Sequence, residues 1–330
     1  MNHALRDWID SGDGLLDIRR GAALRRILPT RCFRTHVDHL NRYLHMLPAR
    51  NVRFALLASE QADLDQALLL LKSKGWKNVF PAMLASRELV EYAETLLGEA
   101  FARNDDKTIT LLFQPSPFFV KAIGLIESIF VEEHRKEALA LDLGCGQGRD
   151  SIWLASKNWV SFPYVTRSSS ESKEEKSKIA WNISCVDAYP LMLEKLLEAA
   201  KTAQCKGIIH PFCSKILGDG KLRTLKASSS SEIEESTRWA DAKYEIVFAI
   251  RFLQKMFFPQ IRNLTKPSGF VLYSTFLEGT SFPRKEARLL ERDELSREFG
   301  ETNGFEIFLN EVTLTEDGRE LASILARKRG

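Results

Sequence analysis

The segment Leu141-Asp-Leu-Gly-Cys-Gly-Gln-Gly-Arg-Asp150 decides the fold expected for this 330-residue chain. It closes a buried-type strand pattern at 138–142, places three glycines at alternating positions, and runs into a helical pattern at 150–157. Glycine lacks a Cβ atom, so the backbone can turn tightly and a ligand can approach its N–H groups. The helix start adds free donors and partial positive charge, which favour a carboxylate or a phosphate. The segment therefore predicts a strand–loop–helix unit that binds a ligand.

Two common phosphate-binding motifs do not fit this glycine loop. A dinucleotide site has the pattern G-x-G-x-x-G, whereas this loop has G-x-G-x-G with Arg149 at the sixth position. The pattern G-x-x-x-x-G-K-[ST] is absent as well. The remaining match is D-x-G-x-G-x-G, and at every motif position the segment resembles the loop of class I S-adenosylmethionine-dependent methyltransferases. A glycine turn without a ligand is the structural alternative.

This resemblance implies a set of residues that bind the cofactor S-adenosylmethionine. In the family, the second strand ends in an acid that accepts hydrogen bonds from both ribose hydroxyls, and Asp187 fits that position. Asp187 also fits the N-cap of a helix starting at Pro190, and the two roles are compatible. The family often places another acid near the adenine, where this chain has Ser214 instead. The predicted cofactor-binding residues are Asp142, Gly144, Cys145, Gly146, Gly148, Arg149, Asp150, Asp187, Ala188, Ser214 and Ile250.

The arginine and aspartate after the glycine loop point to one branch of the family. Residues 142–155 resemble the tellurite-resistance and thiopurine methyltransferases, while 247–253 and 264–276 resemble that branch's fourth and fifth strands. A hairpin pattern at 317–319 fits antiparallel last strands. The resemblance covers residues 111–328 and implies a Rossmann-like α/β fold, with a seven-stranded sheet whose last strand is antiparallel.

Length and element order predict two domains. Strand patterns alternate with a helical pattern in residues 1–103, which indicates a small parallel α/β domain. A linker at 104–110 then leads to the methyltransferase-like domain at 111–330. Stretches rich in Ser, Glu and Lys predict flexible surface insertions near 166–178 and 218–237, because such stretches bury little apolar surface. A phosphorylated regulatory loop is the alternative for them.

The first domain resembles a rhodanese. Leu15-Leu-Asp-Ile-Arg19 is similar to that fold's first strand, and Lys74-Gly-Trp-Lys-Asn-Val79 to its late helix-to-strand turn. A sulfurtransferase needs a cysteine whose thiolate is stabilised at the head of a loop. The matching position holds Ala58-Ser-Glu-Gln61, and Cys32 lies in a different loop. We therefore expect no sulfurtransferase activity, and sulfur transfer through Cys32 is a weaker alternative.

Composition and charge argue against several classes of function. The 47 Lys and Arg against 44 Asp and Glu leave +3, so charge gives no case for a nucleic-acid partner. No apolar run approaches the roughly 18 residues of a membrane span, and the first residues lack the pattern of a targeting peptide. Five cysteines without a C-x-x-C pair predict neither a disulfide framework nor a metal site, and favour a cytoplasmic location.

Methyl transfer depends mainly on alignment, so no catalytic residue need be visible in the sequence. His210 and Tyr273 are candidates for a general base, and Arg251 for orienting an anionic acceptor. Each also fits an ordinary structural role. The strand-four end Ile250-Arg-Phe-Leu253 lacks [ND]-P-P-[YF], and there is no Pro-Cys nucleophile pair. The predicted acceptor atom is therefore O, S or N of a small molecule or a protein.

A scaffold protein that binds the cofactor without catalysis is the main alternative to an enzyme. The missing rhodanese cysteine and the serine at position 214 favour it, whereas the intact glycine loop argues against it.

Overall fold

The computed structural model describes residues 13–19, 32–86, 112–157, 179–227, 231–280, 289–315 and 318–330, together with residues 8, 11, 89 and 283. The chain divides into two compact units, Met1–Gln114 and Pro115–Gly330. The predicted linker at 104–110 and the predicted insertion near 166–178 lie outside the described residues.

The first unit contains a parallel sheet and a helix that packs on it. The elements are β1 (Gly14–Asp17), β2 (Cys32–Arg34), β3 (Phe54–Ala58), α1 (Gln61–Ser73) and β4 (Val79–Leu84), with 3-10 turns at Val37–His39 and Leu44–Met46. The four strands pair in the order β2-β1-β3-β4, all in parallel. Helix α1 buries Leu64, Ala67 and Leu71, the spacing of one apolar helix face. The parallel α/β organisation predicted for this region is therefore present.

The second unit is a larger α/β unit built around a mixed sheet. Its helices are α2 (Pro117–Glu132), α3 (Arg149–Ser156), α4 (Pro190–Thr202), α5 (Phe258–Leu264) and α6 (Glu294–Glu298). Its strands are β5 (Glu137–Leu143), β6 (Ala180–Asp187), β7 (Ile209–Ile216), β8 (Leu222–Thr224), β9 (Tyr244–Ile250), β10 (Thr265–Phe276), β11 (Phe305–Leu314) and β12 (Glu320–Lys328). Short 3-10 turns lie at Lys206–Ile208, Arg238–Asp241, Lys255–Phe257 and Glu301–Asn303.

The strands of this sheet follow the order β11-β12-β10-β9-β5-β6-β7-β8. Strands β7, β6, β5, β9 and β10 are parallel, whereas β12 runs antiparallel to both β10 and β11. The predicted α/β class is confirmed, but the described sheet has eight strands rather than seven. The additional strand is β8, which pairs antiparallel with β7 at the edge.

Strand β8 lies inside the predicted flexible insertion near 218–237, so this prediction needs correction. Within that stretch, Ile233 is buried, and Glu234 exchanges backbone hydrogen bonds with the edge of β7, accepting from Cys213 N–H at 2.9 Å and donating to Pro211 O at 2.9 Å. The polar composition of this stretch does not indicate that Ile233 is buried or that the backbone of Glu234 pairs with the sheet. The described part of the segment is thus an ordered extension of the sheet edge.

The order of the strands locates the best place for a ligand. From β5 the chain continues to β6 and β7 on one side, and then returns to β9 and β10 on the other side. The neighbours β5 and β9 therefore form a switch point, where loops leave in opposite directions and open a crevice at the carboxyl ends of the strands. The glycine loop follows β5 directly and lies at this crevice.

Candidate functional site

A cleft of about 570 Å³ lies at the carboxyl ends of the parallel strands in the second unit. Five consecutive strands of the sheet contribute to its lining. The contributing residues include Gly144 after β5, Asp187 and Ala188 at β6, Ser214 and Lys215 on β7, Arg251 and Phe252 after β9, and Thr275 and Phe276 on β10. The cleft thus occupies the position that the sheet topology favours.

All three glycines of the loop adopt left-handed backbone conformations, with φ of +70° at Gly144, +55° at Gly146 and +73° at Gly148. A Cβ atom at Gly144 would lie 2.4 Å from the Phe252 ring, and one at Gly148 would lie 2.5 Å from Leu196 Cδ1. A Cβ at Gly146 would meet no atom within 4 Å. Packing therefore requires the outer two glycines, whereas the middle one faces open space that a ligand can occupy.

The Asp187 carboxylate points at this loop. It accepts hydrogen bonds from the N–H groups of Gly146 at 2.9 Å and Tyr189 at 2.8 Å. Burial raises the pKa of this carboxyl, and these backbone donors act in the opposite direction. The N-cap of α4 is Tyr189, so the predicted N-cap role of Asp187 is corrected: Asp187 holds the backbone of the cap residue instead.

Two further carboxyl groups lie on either side of the glycine loop in the chain, Asp142 in β5 and Asp150 in α3. Asp142 is buried and accepts a 2.6 Å hydrogen bond from the Ser151 hydroxyl, and burial holds its pKa well above the usual range. Asp150 accepts a 2.7 Å hydrogen bond from the Ser116 N–H, which ties the start of α2 to the loop. Burial raises the pKa of Asp150 to about 6. Burial favours the protonated form of Asp142, so the negative charge that suits a cationic ligand comes from Asp187 and from Asp150 above its pKa of about 6.

The predicted cofactor-binding residues take different places around the cleft. Gly144, Asp187, Ala188 and Ser214 line it directly. The Ser214 hydroxyl accepts a 2.8 Å hydrogen bond from the indole N–H of Trp239, which fixes the position of its oxygen. The others of the set belong to the end of β5, the loop, the start of α3 or the end of β9 and are not among the lining residues; they are Asp142, Cys145, Gly146, Gly148, Arg149, Asp150 and Ile250.

The structure places neither candidate for a general base at the cleft. Tyr273 is only 1% exposed and packs against Phe258 and Phe299, at 5.5 and 6.2 Å between ring centroids. Burial raises its pKa further, so the phenolate that a base requires is disfavoured. His210 lies near the amino end of β7, four residues before Ser214 and hence roughly 13 Å along the strand from the cleft. Neither side chain lines the cleft.

Arg251, the third candidate, does line the cleft. Phe252 and Thr275 line it too, although the sequence patterns did not single them out. Both lie at or just after the ends of strands that the patterns predicted correctly. The rule that ligands bind at the carboxyl ends of parallel strands would have been enough to nominate them.

The described residues contain no group of three or more His, Cys, Asp or Glu side chains arranged to hold a metal ion. Within the same residues, every helix is too short or too polar to span a bilayer.

Comparison with known proteins identifies distant relatives. No protein family matches the chain by its sequence profile. The uncharacterized protein UNK4.09 of Schizosaccharomyces pombe is 25% identical over 282 residues, which cover 78% of this chain and 75% of that protein.

Several solved structures are similar at low sequence identity. TehB from Haemophilus influenzae has a TM-score of 0.38 and 15% identity, over 62% of each chain. Magnesium protoporphyrin IX methyltransferase (ChlM) from Synechocystis PCC 6803, with bound SAH, has a TM-score of 0.39 and 14% identity, over 64% of this chain and 83% of that chain. A SAM-dependent methyltransferase from Methanosarcina mazei has a TM-score of 0.37 and 15% identity, over 61% and 97%. Similarity at this level carries no conclusion about function.

Proposed function

We propose that the second unit is an S-adenosylmethionine-dependent methyltransferase that acts on an O, S or N atom of a small-molecule or protein acceptor. The observation that carries this proposal is the open space over Gly146 beside the Asp187 carboxylate. A finer assignment, to the tellurite-resistance and thiopurine branch, rests on the Arg149–Asp150 pair after the loop.

The residues around the loop fit the cofactor chemically. Each carboxylate oxygen has two lone pairs, so Asp187 can accept ribose hydroxyls while it keeps its backbone hydrogen bonds to Gly146 and Tyr189. A charged acceptor facing two O–H donors is a strong arrangement. The carboxylate of Asp150, which is charged above its pKa of about 6, favours a ligand that carries a sulfonium and an ammonium group. Ser214 lines the cleft one strand beyond Asp187, where the nucleobase would lie.

When bound, the cofactor supplies a reactive methyl group and a good leaving group. The protein residues then have to bind and orient the cofactor and the acceptor, and to exclude water from the cleft. Phe252, Leu253 and Phe276 provide apolar walls at the β9–β10 end of the cleft, where the acceptor would approach. The described lining contains no histidine, so the proposed mechanism depends on alignment rather than on a histidine base.

For the first unit, we propose a rhodanese-like fold without sulfurtransferase activity. The residue that closes β3, where the resemblance would place the nucleophile, is Ala58. Cys32 begins strand β2 rather than lying in a loop as the sequence suggested, and burial raises the pKa of its thiol, which keeps the sulfur protonated. Because the thiolate is the nucleophile, sulfur transfer through Cys32 is disfavoured.

Titration calorimetry with S-adenosylhomocysteine tests the proposed cofactor site. We expect micromolar affinity in the wild type and at least a tenfold loss in Asp187→Asn, which removes the charge but keeps the shape. Asp241→Asn, an exposed acid outside the cleft lining, is the control and should bind as the wild type does. Equal affinity in Asp187→Asn and the wild type would reject the site.

One observation favours a non-catalytic, cofactor-binding protein as the second candidate: neither predicted general base lies in the cleft. Incubation with cofactor tritiated on the methyl group, in metabolite and protein extracts, separates the two candidates. A methyltransferase transfers label to an acceptor in an Asp187-dependent way. A scaffold protein binds the cofactor and labels nothing.

A further inference from the structure

We propose that strand β11, the last strand at one edge of the larger sheet, is the surface through which two copies of this chain pair. The pairing would be antiparallel, about a two-fold axis centred on Val312, and would join two eight-stranded sheets edge to edge. This inference does not rest on the proposed function, because none of the described residues that line the cleft belongs to β11 or β12. Its support comes from the backbone edge of β11, its apolar side chains and the register that its sequence allows.

Strand β11 presents a free backbone edge. Within the described part of the chain it pairs with β12 alone, and its backbone at 306–314 makes no hydrogen bond to any other element. A long unpaired edge is a template for another strand, and proteins usually protect it with a lysine, a proline or a bulge. The bulge of β11 lies toward one end, at 307–309. Residues 309–314 continue in unbroken register with β12 and contain neither lysine nor proline.

The regular part of β11 exposes large apolar side chains. Val312 and Leu314 are 45% and 68% exposed. Because side chains alternate along a strand, both lie on one face of the sheet, together with Asn310. An apolar pair next to a free backbone edge favours pairing with another strand, which removes apolar surface from water while it satisfies the backbone groups.

The strand is anchored on both faces of the sheet. The Asn310 amide donates a 2.9 Å hydrogen bond to the Ser296 hydroxyl of α6, and Lys121 of α2 donates a 2.7 Å hydrogen bond to the Glu311 carboxylate. Residues 310 and 311 point to opposite faces, so one helix holds the strand from each side. An edge that is already ordered loses little conformational entropy when it pairs, which favours association.

The sequence of the strand is complementary to a second copy of itself. In a two-fold antiparallel pair, opposing residues lie on the same face of the joined sheet, so the axis passes through one residue and its equivalent. An axis at Val312 places this valine opposite the same valine of the second copy, Leu314 opposite Asn310, and Glu311 opposite Thr313. Glu311 is the one charged residue in 309–314, and here it meets a hydroxyl that can donate to it.

Other positions of the axis are less favourable. An axis at Glu311 puts two carboxylates opposite each other, which is destabilising. An axis at Asn310 brings the bulge into the pairing. An axis at Thr313 requires Thr315, which is buried and whose N–H donates a 2.9 Å hydrogen bond to the carbonyl of Arg319. Charge and register therefore favour a single arrangement, centred on Val312.

Sedimentation equilibrium of the full chain tests the pairing. For the wild type we expect the mass of two chains at micromolar concentration. Val312→Lys puts two ammonium groups opposite each other and should weaken the dimer at least 100-fold, while a lysine on an exposed edge strand is compatible with folding. Leu69→Lys is the matched control, since Leu69 is a 72% exposed apolar residue on α1. This control should leave the dimer unchanged.

Cross-linking by copper-catalysed air oxidation checks the register. Val312→Cys should form a disulfide between two chains, because the two thiols lie opposite each other at the axis. Asn310→Cys should form none with itself, because its two copies lie about 13 Å apart along the strands. A mixture of Asn310→Cys and Leu314→Cys chains should cross-link to each other. Mass spectrometry of the linked peptides distinguishes these disulfides from any that involve the five native cysteines.

Three results would overturn the proposal. A wild-type chain that stays monomeric at high micromolar concentration means that another segment or another protein covers β11. A dimer that is as strong in Val312→Lys as in the wild type forms through a different surface. A Val312→Cys chain that gives no disulfide excludes the register. None of these results bears on cofactor binding, so the proposed function is decided separately, by calorimetry of Asp187→Asn.

Discussion

Each unit of the chain has an aspartate at the carboxyl end of a parallel strand, and the two aspartates have different partners. Asp17 closes β1, is fully buried, and receives two hydrogen bonds from the Arg19 guanidinium at 2.8 and 2.9 Å. Asp187 closes β6, accepts two backbone N–H groups, and lines a cleft. A buried charge is tolerated when a partner neutralises it. The same residue type at an equivalent strand end is therefore structural in one unit and available to a ligand in the other.

The loops that follow the strands differ in a similar way. Strand β3 passes into α1 through only Ser59 and Glu60, without a glycine. Strand β5 passes into α3 through the glycine loop at 144–148, whose middle residue faces open space. Both are strand–loop–helix units of a parallel sheet. Only the second combines a backbone that faces open space with a carboxylate that accepts its hydrogen bonds from backbone N–H groups, and this combination forms a site that a ligand can occupy.

Breaking the paired aspartate should have the largest effect on stability. Asp17→Ala leaves the Arg19 guanidinium buried without its carboxylate, which costs about 3–5 kcal/mol. Asp187→Ala removes only backbone contacts at a cleft and should cost about 1 kcal/mol. Hydrogen exchange measured on peptides from β1 and β3, and on peptides from β5 and β6, reports the two effects separately. Equal loss of protection in the two variants would contradict the distinction between the aspartates.

The loss of stability caused by an alanine substitution in the glycine loop should increase as the space around the new Cβ atom decreases. Gly148→Ala adds a clash with Leu196 to the cost of a left-handed alanine, for a loss of about 2–4 kcal/mol. Gly146→Ala has only the backbone cost, about 1–2 kcal/mol. Gly304→Ala is the matched control, because Gly304 has a φ of +77° and open space as well. Urea unfolding of the three variants checks the order, and a Gly148 variant as stable as the control would refute it.

The affinity of the acidic site for a cationic ligand should depend on pH. Asp150 faces Ser116, Arg149, Arg251 and Asp142, and burial raises its pKa to about 6. Its carboxylate is therefore charged above that pH and protonated below it. We expect S-adenosylhomocysteine, which carries an ammonium group, to bind about tenfold more weakly at pH 5 than at pH 8. Calorimetry across this range should show a flatter profile for Asp150→Asn, and an unchanged profile would argue against contact with the ligand.

The smallest expected effect is an increase in the stability of the folded protein when Asp142 is replaced by asparagine. Asp142 has a raised pKa in the folded protein, so the folded state binds its proton more tightly than the unfolded state does. The stability of the wild type should therefore fall as the pH rises from the ordinary carboxyl range through the raised pKa. Asp142→Asn keeps an acceptor for the Ser151 hydroxyl and does not titrate. Thermal unfolding should show a gain of about 1 kcal/mol at pH 8 that disappears near pH 4, and a loss at pH 8 would contradict it.

The sequence by itself determined the elements whose signals are local. The strand pattern at 138–142 lies within β5, and the helical pattern at 150–157 matches α3 to within one residue at each end, because a short apolar run followed by turn residues and a helix start is a local signal. The glycine loop was equally visible, since the need for left-handed backbone leaves its mark on the residues themselves. Strands β2 and β8 were not predicted. Each has only three residues, which is too short for a periodic pattern. Strand β2 pairs with β1 and strand β8 pairs with β7, so both depend on pairing within the folded sheet.

Only the tertiary structure decided which polar residues reach the cleft. His210, Tyr273 and Arg251 all lie in or next to strands, and the sequence pattern does not distinguish them. The fold puts Tyr273 in an aromatic core, His210 at the far end of its strand, and Arg251 at the cleft. Depth and direction of a side chain depend on what neighbouring strands and helices pack against it, and those neighbours are distant in sequence. For the same reason, the carboxylate of Asp17 was neutralised and that of Asp187 was left facing the cleft only once the chain had folded.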